Sequence, residues 1–128
     1  MRVLLDTHAL LWWFDGDRRL PKRIQNLIGD EKNEILVSAA SAWEIATKAR
    51  LGKLPNALPI ADKLKVAVAE QGFIELAISF EDGQRAGGLT GDHRDPFDRM
   101  LAAQSIARDL PLVTNDAAFK AFGVKVLW

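Results

Sequence analysis

The chain has 128 residues, a length that suits one domain over residues 1–128 and buries roughly two-thirds of its unfolded surface. It has no cysteine, which excludes disulfides and thiolate metal sites, and its two histidines serve zinc poorly. Seventeen basic and seventeen acidic side chains cancel, so net charge selects no partner; with no apolar run long enough to span a bilayer, a cytoplasmic protein is expected.

Arg2–Leu5 is a short apolar run ending at Asp6 and reads as a buried first strand. Thr7–Phe14 follows as a helix rich in Leu and Trp, closed by the turn Asp15-Gly16-Asp17. Leu20-Pro21 opens a second helix, with Ile24, Leu27 and Ile28 at helical spacing and Gly29 at its end. Glu34–Ser38 is a second strand. Ser41 reads as the N-cap of a helix through Trp43 and Ile45 to Leu51.

Pro55 and Pro59 bracket a loop, and Ile60, Leu64, Ala67 and Val68 mark one amphipathic helix ending near Gly72. Phe73–Ile78 is a third strand and Phe80–Leu89 a short helix. Asp95-Pro96 starts a helix reaching about Arg108, since proline suits the first helical position. Leu112–Thr114, Ala117–Phe122 and Val124–Leu127 read as strand, short helix and strand. The alternation predicts an α/β fold with a mostly parallel central sheet.

Ligands of such sheets sit beyond the carboxyl ends of the strands, where strand order reverses. Asp6, Glu44 and Asp116 each follow a strand at short range. Parallel strands would bring all three to one edge, and Asp98 joins them if the helix begun at Asp95 starts there. Carboxylates gathered in one cleft repel one another, and a hard divalent cation such as Mg2+ or Mn2+ relieves this directly.

Each acid also has a purely structural reading. Ser41-Ala42-Trp43-Glu44 fits a capping box, Asp95 caps before Pro96, Asp116 caps the last short helix, and Asp6 simply ends a strand. Asp95 and Asp98, three apart, lie on nearly the same helix face. Because Asp95 has a sufficient role as cap, Asp98 takes the ligand assignment and Asp95 a supporting one.

The stretches Leu4–Trp13, Ser38–Leu54, His93–Ser105 and Leu112–Phe119 together resemble a PIN domain, and most closely the VapC-type toxins of toxin–antitoxin pairs. The resemblance implies a three-layer α/β/α fold and Mg2+- or Mn2+-dependent RNA cleavage that inhibits translation. It also implies an antitoxin partner and a homodimer, with helices near the start of the chain serving both contacts. The family's acidic positions fall on Asp6, Glu44, Asp98 and Asp116. By that likeness Asp6, Glu44 and Asp98 hold the principal cation, Asp116 completes its shell, and hydrolysis needs no covalent enzyme intermediate.

Around this set, Thr114 is a candidate support for a carboxylate, and Arg94 and Arg99 are candidate contacts for RNA phosphate. His8 and His93 flank the acids without a nucleophile to serve, so neither receives a chemical role. Trp12, Trp13 and Trp43 suit base stacking, although core or interface packing is the stronger reading. Two further functions compete. A strand-end Asp6 also fits an aspartate-phosphorylated phosphatase or receiver domain, but His8 stands where the phosphatases need a second aspartate, and a receiver's acid pair and late lysine cannot be placed. A non-catalytic RNA- or protein-binding module would use the same acids only to steady the fold.

Overall fold

In the computed structural model, which describes residues 1–54 and 58–128, the first apolar run becomes the middle of the sheet. Strand β1 (Arg2–Leu5) pairs with β2 (Glu34–Ser38) on one side and with β4 (Leu112–Val113) on the other. Strands β3 (Ile74–Leu76) and β5 (Val126–Leu127) complete the order β3-β2-β1-β4-β5. Every pairing is parallel, so the sheet is parallel throughout rather than mostly so.

Alternating side chains on these strands feed two separate cores. Val3, Leu5, Ile35, Val37 and Val113 pack on one face beneath helices α1 (Thr7–Asp15), α2 (Lys22–Gly29) and α5 (Leu64–Glu70). Leu4, Leu36 and Leu112 pack on the other, beneath α7 (Pro96–Arg108) and the 3-10 helix Ala117–Phe122. Burial on both faces explains why these strands are apolar runs with no polar alternation. Helix α3 (Ala39–Arg50) bridges the two layers, with Ala40 in the second core and Ile45 in the first. This is the expected α/β/α sandwich. Helix α6 (Phe80–Gly88) runs beside α7.

Local structure departs from the sequence reading in three places. Helix α3 begins directly after β2: Ser38, not Ser41, is its N-cap and accepts from the Ala40 amide at 3.0 Å. The Ser41–Glu44 capping box is therefore absent, and Glu44 lies in the second turn. The single helix expected after Pro59 is two pieces, α4 (Leu58–Ala61) and α5, separated at Asp62-Lys63. Pro59 sits inside the short first helix, where an early proline is tolerated; Pro55 lies outside the described residues. The end strands are also shorter than expected, β5 spanning only Val126–Leu127.

The chain lays β1, β2 and β3 outward in one direction and then returns to place β4 and β5 on the far side of β1. Strand order thus reverses between β1 and β4, which makes the crevice at their carboxyl ends the natural ligand position. Among the described residues no helix is long and apolar enough to cross a membrane.

Candidate active site

Asp6 leaves β1 at that reversal. Its amide donates to the Val113 carbonyl of β4 at 3.1 Å, fixing it between the two strand ends. Its carboxylate accepts from the Ala9 amide at 2.7 Å and so caps α1. Thr7, the next residue, donates its hydroxyl to the Ser41 hydroxyl at 3.0 Å, which binds the start of α1 to α3. Ser41 is thus a buried tie between two elements of the site.

One turn beyond Ser41, α3 carries Glu44, only 3% exposed. Lys48 lies one turn further along the same helix and donates its ammonium group to the Glu44 carboxylate. From the other layer, α7 supplies Asp98 in its first turn. Asp95 caps this helix by accepting from the amides of Phe97 and Asp98 at 2.9 and 3.1 Å, as expected. The Asp98 carboxylate meets His93 Nε2 at 2.9 Å.

The electrostatics tie these groups together. Burial pushes the Asp6 carboxyl up; the Thr114 hydroxyl and the Ala9 amide oppose this, and the Glu44 charge adds to it. Burial likewise pushes Asp98 up to about 6, with His93 opposing and the charges of Asp95 and Glu44 reinforcing. The Glu44 charge therefore acts on both Asp6 and Asp98, linking three elements. Asp116 is held differently. It stands exposed past β4, its amide donating to Thr114 Oγ1 at 3.0 Å and its carboxylate capping the 3-10 helix through the Ala118 amide at 2.9 Å.

As these side chains stand, no three His, Cys, Asp or Glu groups among the described residues close around a point a cation would fill. Lys48 instead pairs with Glu44 from within the same helix, and His93 hydrogen-bonds Asp98. The sequence reading assigned neither partner. Lys48 was legible as an i,i+4 neighbour of Glu44; His93 depends on the path of the loop before α7.

That loop has its own clamp. Arg99 donates to the carbonyls of Ala86 and His93 at 2.9 and 2.8 Å, and also to those of Gly87 and Leu89. Its guanidinium is thus committed to holding residues 86–93 against α7. Arg94 remains exposed.

A buried polar network, unforeseen in the sequence, supports the site from below. Gln104 of α7 is fully buried; it accepts from the Ser38 hydroxyl at 2.6 Å and donates to Ala77 O and Asp82 Oδ2, both at 3.2 Å. Asp82 in turn accepts from both terminal nitrogens of Arg108 at 2.9 Å and from the Ser79 amide at 3.0 Å. The cap of the helix bearing Glu44 is thereby fixed to the helix bearing Asp98.

The PIN domain family profile matches residues 3–125. The chain belongs to the PIN-domain family. This PIN domain is 60% identical over 35 residues to ribonuclease VapC16 of Mycobacterium tuberculosis, a stretch covering 27% of this chain and 25% of that protein. Among solved structures it resembles VapBC2 from Rickettsia felis bound to a DNA fragment from its promoter, with a TM-score of 0.71 and 19% identity over 99% of this chain and 98% of that one. It also resembles a toxin–antitoxin complex from Klebsiella pneumoniae, with a TM-score of 0.66 and 20% identity over 98% and 96% of the two chains. At these identities the structural likenesses establish the fold.

Proposed function

We propose that this PIN domain is a divalent-cation-dependent endoribonuclease and the toxin of a toxin–antitoxin pair. The observation that carries the reading is Asp6 at the reversal point of a parallel sheet, with the Glu44 charge acting on both Asp6 and Asp98. The family and the kinship to a named ribonuclease support the substrate class. The structural neighbours that are toxin–antitoxin complexes support a protein antitoxin as partner, and the family likeness supports a homodimer.

The donor chemistry fits a hard cation. All the acids offer oxygen and none of the residues is a thiol, and Lys48 already offers positive charge to Glu44. Asp6, Glu44 and Asp98 are the residues that would hold Mg2+ or Mn2+, with Asp116, past the end of β4, the candidate to support the outer shell. When bound, such a cation supplies Lewis acidity toward the phosphodiester and an activated water.

The remaining steps belong to the chain. Thr114, fully buried, steadies Asp6 and the Asp116 backbone together. Asp95 and Pro96 set the start of α7, so Asp98 enters the cleft from a fixed first turn. Lys48 compensates the buried Glu44, and His93 holds the partly buried Asp98 by a hydrogen bond. Arg94, exposed at the rim, is placed to meet RNA phosphate.

The test is direct. The purified chain, free of antitoxin, is incubated with a panel of single-stranded and structured RNAs plus Mg2+ or Mn2+, beside Asp6→Asn. Discrete RNA ends from the wild type alone are expected. Equal cleavage by the variant, or cleavage that survives exhaustive chelation, overturns the reading.

A further inference from the structure

The helices that carry Glu44 and Asp98 meet a second time, one residue before each carboxylate. Trp43 precedes Glu44 on α3 and Phe97 precedes Asp98 on α7, and their rings touch edge to face with centroids 4.7 Å apart at 78°. Phe97 is half-buried, but Trp43 is 58% exposed. The other tryptophans are packed: Trp12 against Trp128, and Trp13 against Phe73 while its indole nitrogen donates to Gln71. Core or interface packing is the stronger expectation from sequence; Trp12 and Trp13 pack against the core, and Trp43 does not join it.

Successive residues on a helix point about 100° apart, so Trp43 borders the face carrying Glu44 without sharing it. The same offset separates Phe97 from Asp98. The aromatic pair accordingly forms a wall beside the acidic cleft, carried by the two helices that carry two of its three acids. Phe97 contacts the indole through its edge geometry, which limits the rotamers Trp43 must give up on binding. A large, oriented aromatic surface left in water beside a phosphodiester site suits the π-face of a nucleobase.

We propose that Trp43, oriented by Phe97, is the stacking platform for one nucleobase flanking the phosphodiester cleaved at Asp6, Glu44 and Asp98. The inference rests on the ribonuclease reading and adds a specificity element to it. Stacking accepts every base but favours the larger ring, so one position beside the cut should prefer a purine.

The experiment compares wild type, Trp43→Ala and Trp43→Phe on a random-sequence single-stranded RNA pool with Mg2+, mapping the cut ends by sequencing. One well-cleaved oligonucleotide is then remade with an abasic residue at each position flanking the cut. Trp43→Ala should lose roughly 10- to 100-fold in kcat/KM, the range that one stacked base contributes, and should lose the purine preference. Trp43→Phe should retain most of both. One abasic position should weaken the wild type by the same factor while leaving Trp43→Ala almost unaffected, a coupling that mere misfolding would not produce. Unchanged kinetics and preference in Trp43→Ala overturn the inference. So does equal loss in wild type and variant at every abasic position, or a shift from dimer to monomer in sedimentation with abasic coupling absent, which would assign the face to self-association. A wild type that cleaves none of the pool removes the ribonuclease reading itself, whereas a defect confined to the Trp43 variants leaves that reading standing.

Discussion

Replacing Asp98 with asparagine should stabilise the cation-free protein at pH 8 while removing its response to magnesium. Burial raises the Asp98 carboxyl from 3.8 to about 6, with Asp95 and Glu44 adding to the shift and His93 opposing it. A shift of about two units corresponds to roughly 3 kcal/mol of ionisation penalty in the folded state. The side chain is 21% exposed, so part of that is screened by water, and about 2 kcal/mol is the expected difference. Asparagine keeps the shape and a polar atom for His93 but carries no charge.

The sign follows from linkage. A carboxyl with a raised folded pKa binds its proton more tightly when folded, so its relative contribution is fully present below pH 3.8 and is lost as pH rises through about 6. Wild type and variant should therefore match near pH 4, diverge between pH 4 and 6, and stay apart above. Urea unfolding of chelated protein at pH 4, 5, 6 and 8 measures this. Magnesium at 100 times its dissociation constant should then add about 2.7 kcal/mol to the wild type and little to the variant. A variant less stable than wild type at pH 8 in chelator would refute the reasoning, because it would mean the ionised carboxylate is favoured where it sits.

Asp82→Ala should lower stability by roughly 1–3 kcal/mol in urea unfolding, since it removes a buried carboxylate with four donor contacts and leaves the partly exposed Arg108 unpaired. Burial works to raise the Asp82 carboxyl, but Arg108, Ser79 and Gln104 outweigh it and hold it below the usual range; its contribution is therefore present above about pH 4 and lost as acid protonates it. Thr114→Val should reduce metal affinity and turnover about tenfold, read by titration calorimetry and initial rates, because it removes the hydroxyl steadying Asp6 and the Asp116 amide. Asp116→Asn should impair cleavage less than Asp6→Asn, as an exposed cap outside the coupled set would; equal loss from the two would place Asp116 in the inner shell.

Strand ends and strong caps were legible in the sequence because their signals are local. β1 stops where the apolar run meets Asp6, and α7 begins where Asp95 and Pro96 require it, so the sequence puts Asp6 at a strand end and Asp98 in a helix's first turn, while the edge that helix faces is a tertiary matter. The start of α3 was misread because Ser38 and Ser41 are both competent caps. Tertiary structure decided between them: β2 feeds the helix with no loop, and Ser41 is taken by Thr7. The Gln104 network was invisible for a different reason. Its partners Ser38 and Asp82 lie 66 and 22 residues away in sequence, and no periodicity encodes such a meeting. Arg99 reads as an exposed phosphate contact until the loop it clamps is known.

Internal partners offset the cost of gathering acids in this cleft. Glu44 is nearly fully buried, and an uncompensated buried carboxylate would cost several kcal/mol. Lys48 meets this on the same helix with a side chain that is 30% exposed, so its ammonium group can swing outward without unfolding anything. His93 meets Asp98 from a loop, and Asp6 instead relies on hydroxyl and amide donors. The three acids are thus stabilised by three kinds of partner with different freedom to leave. Lys48 is thus the partner freest to move aside, whereas the Thr114 and Ala9 contacts make Asp6 the fixed corner of the site.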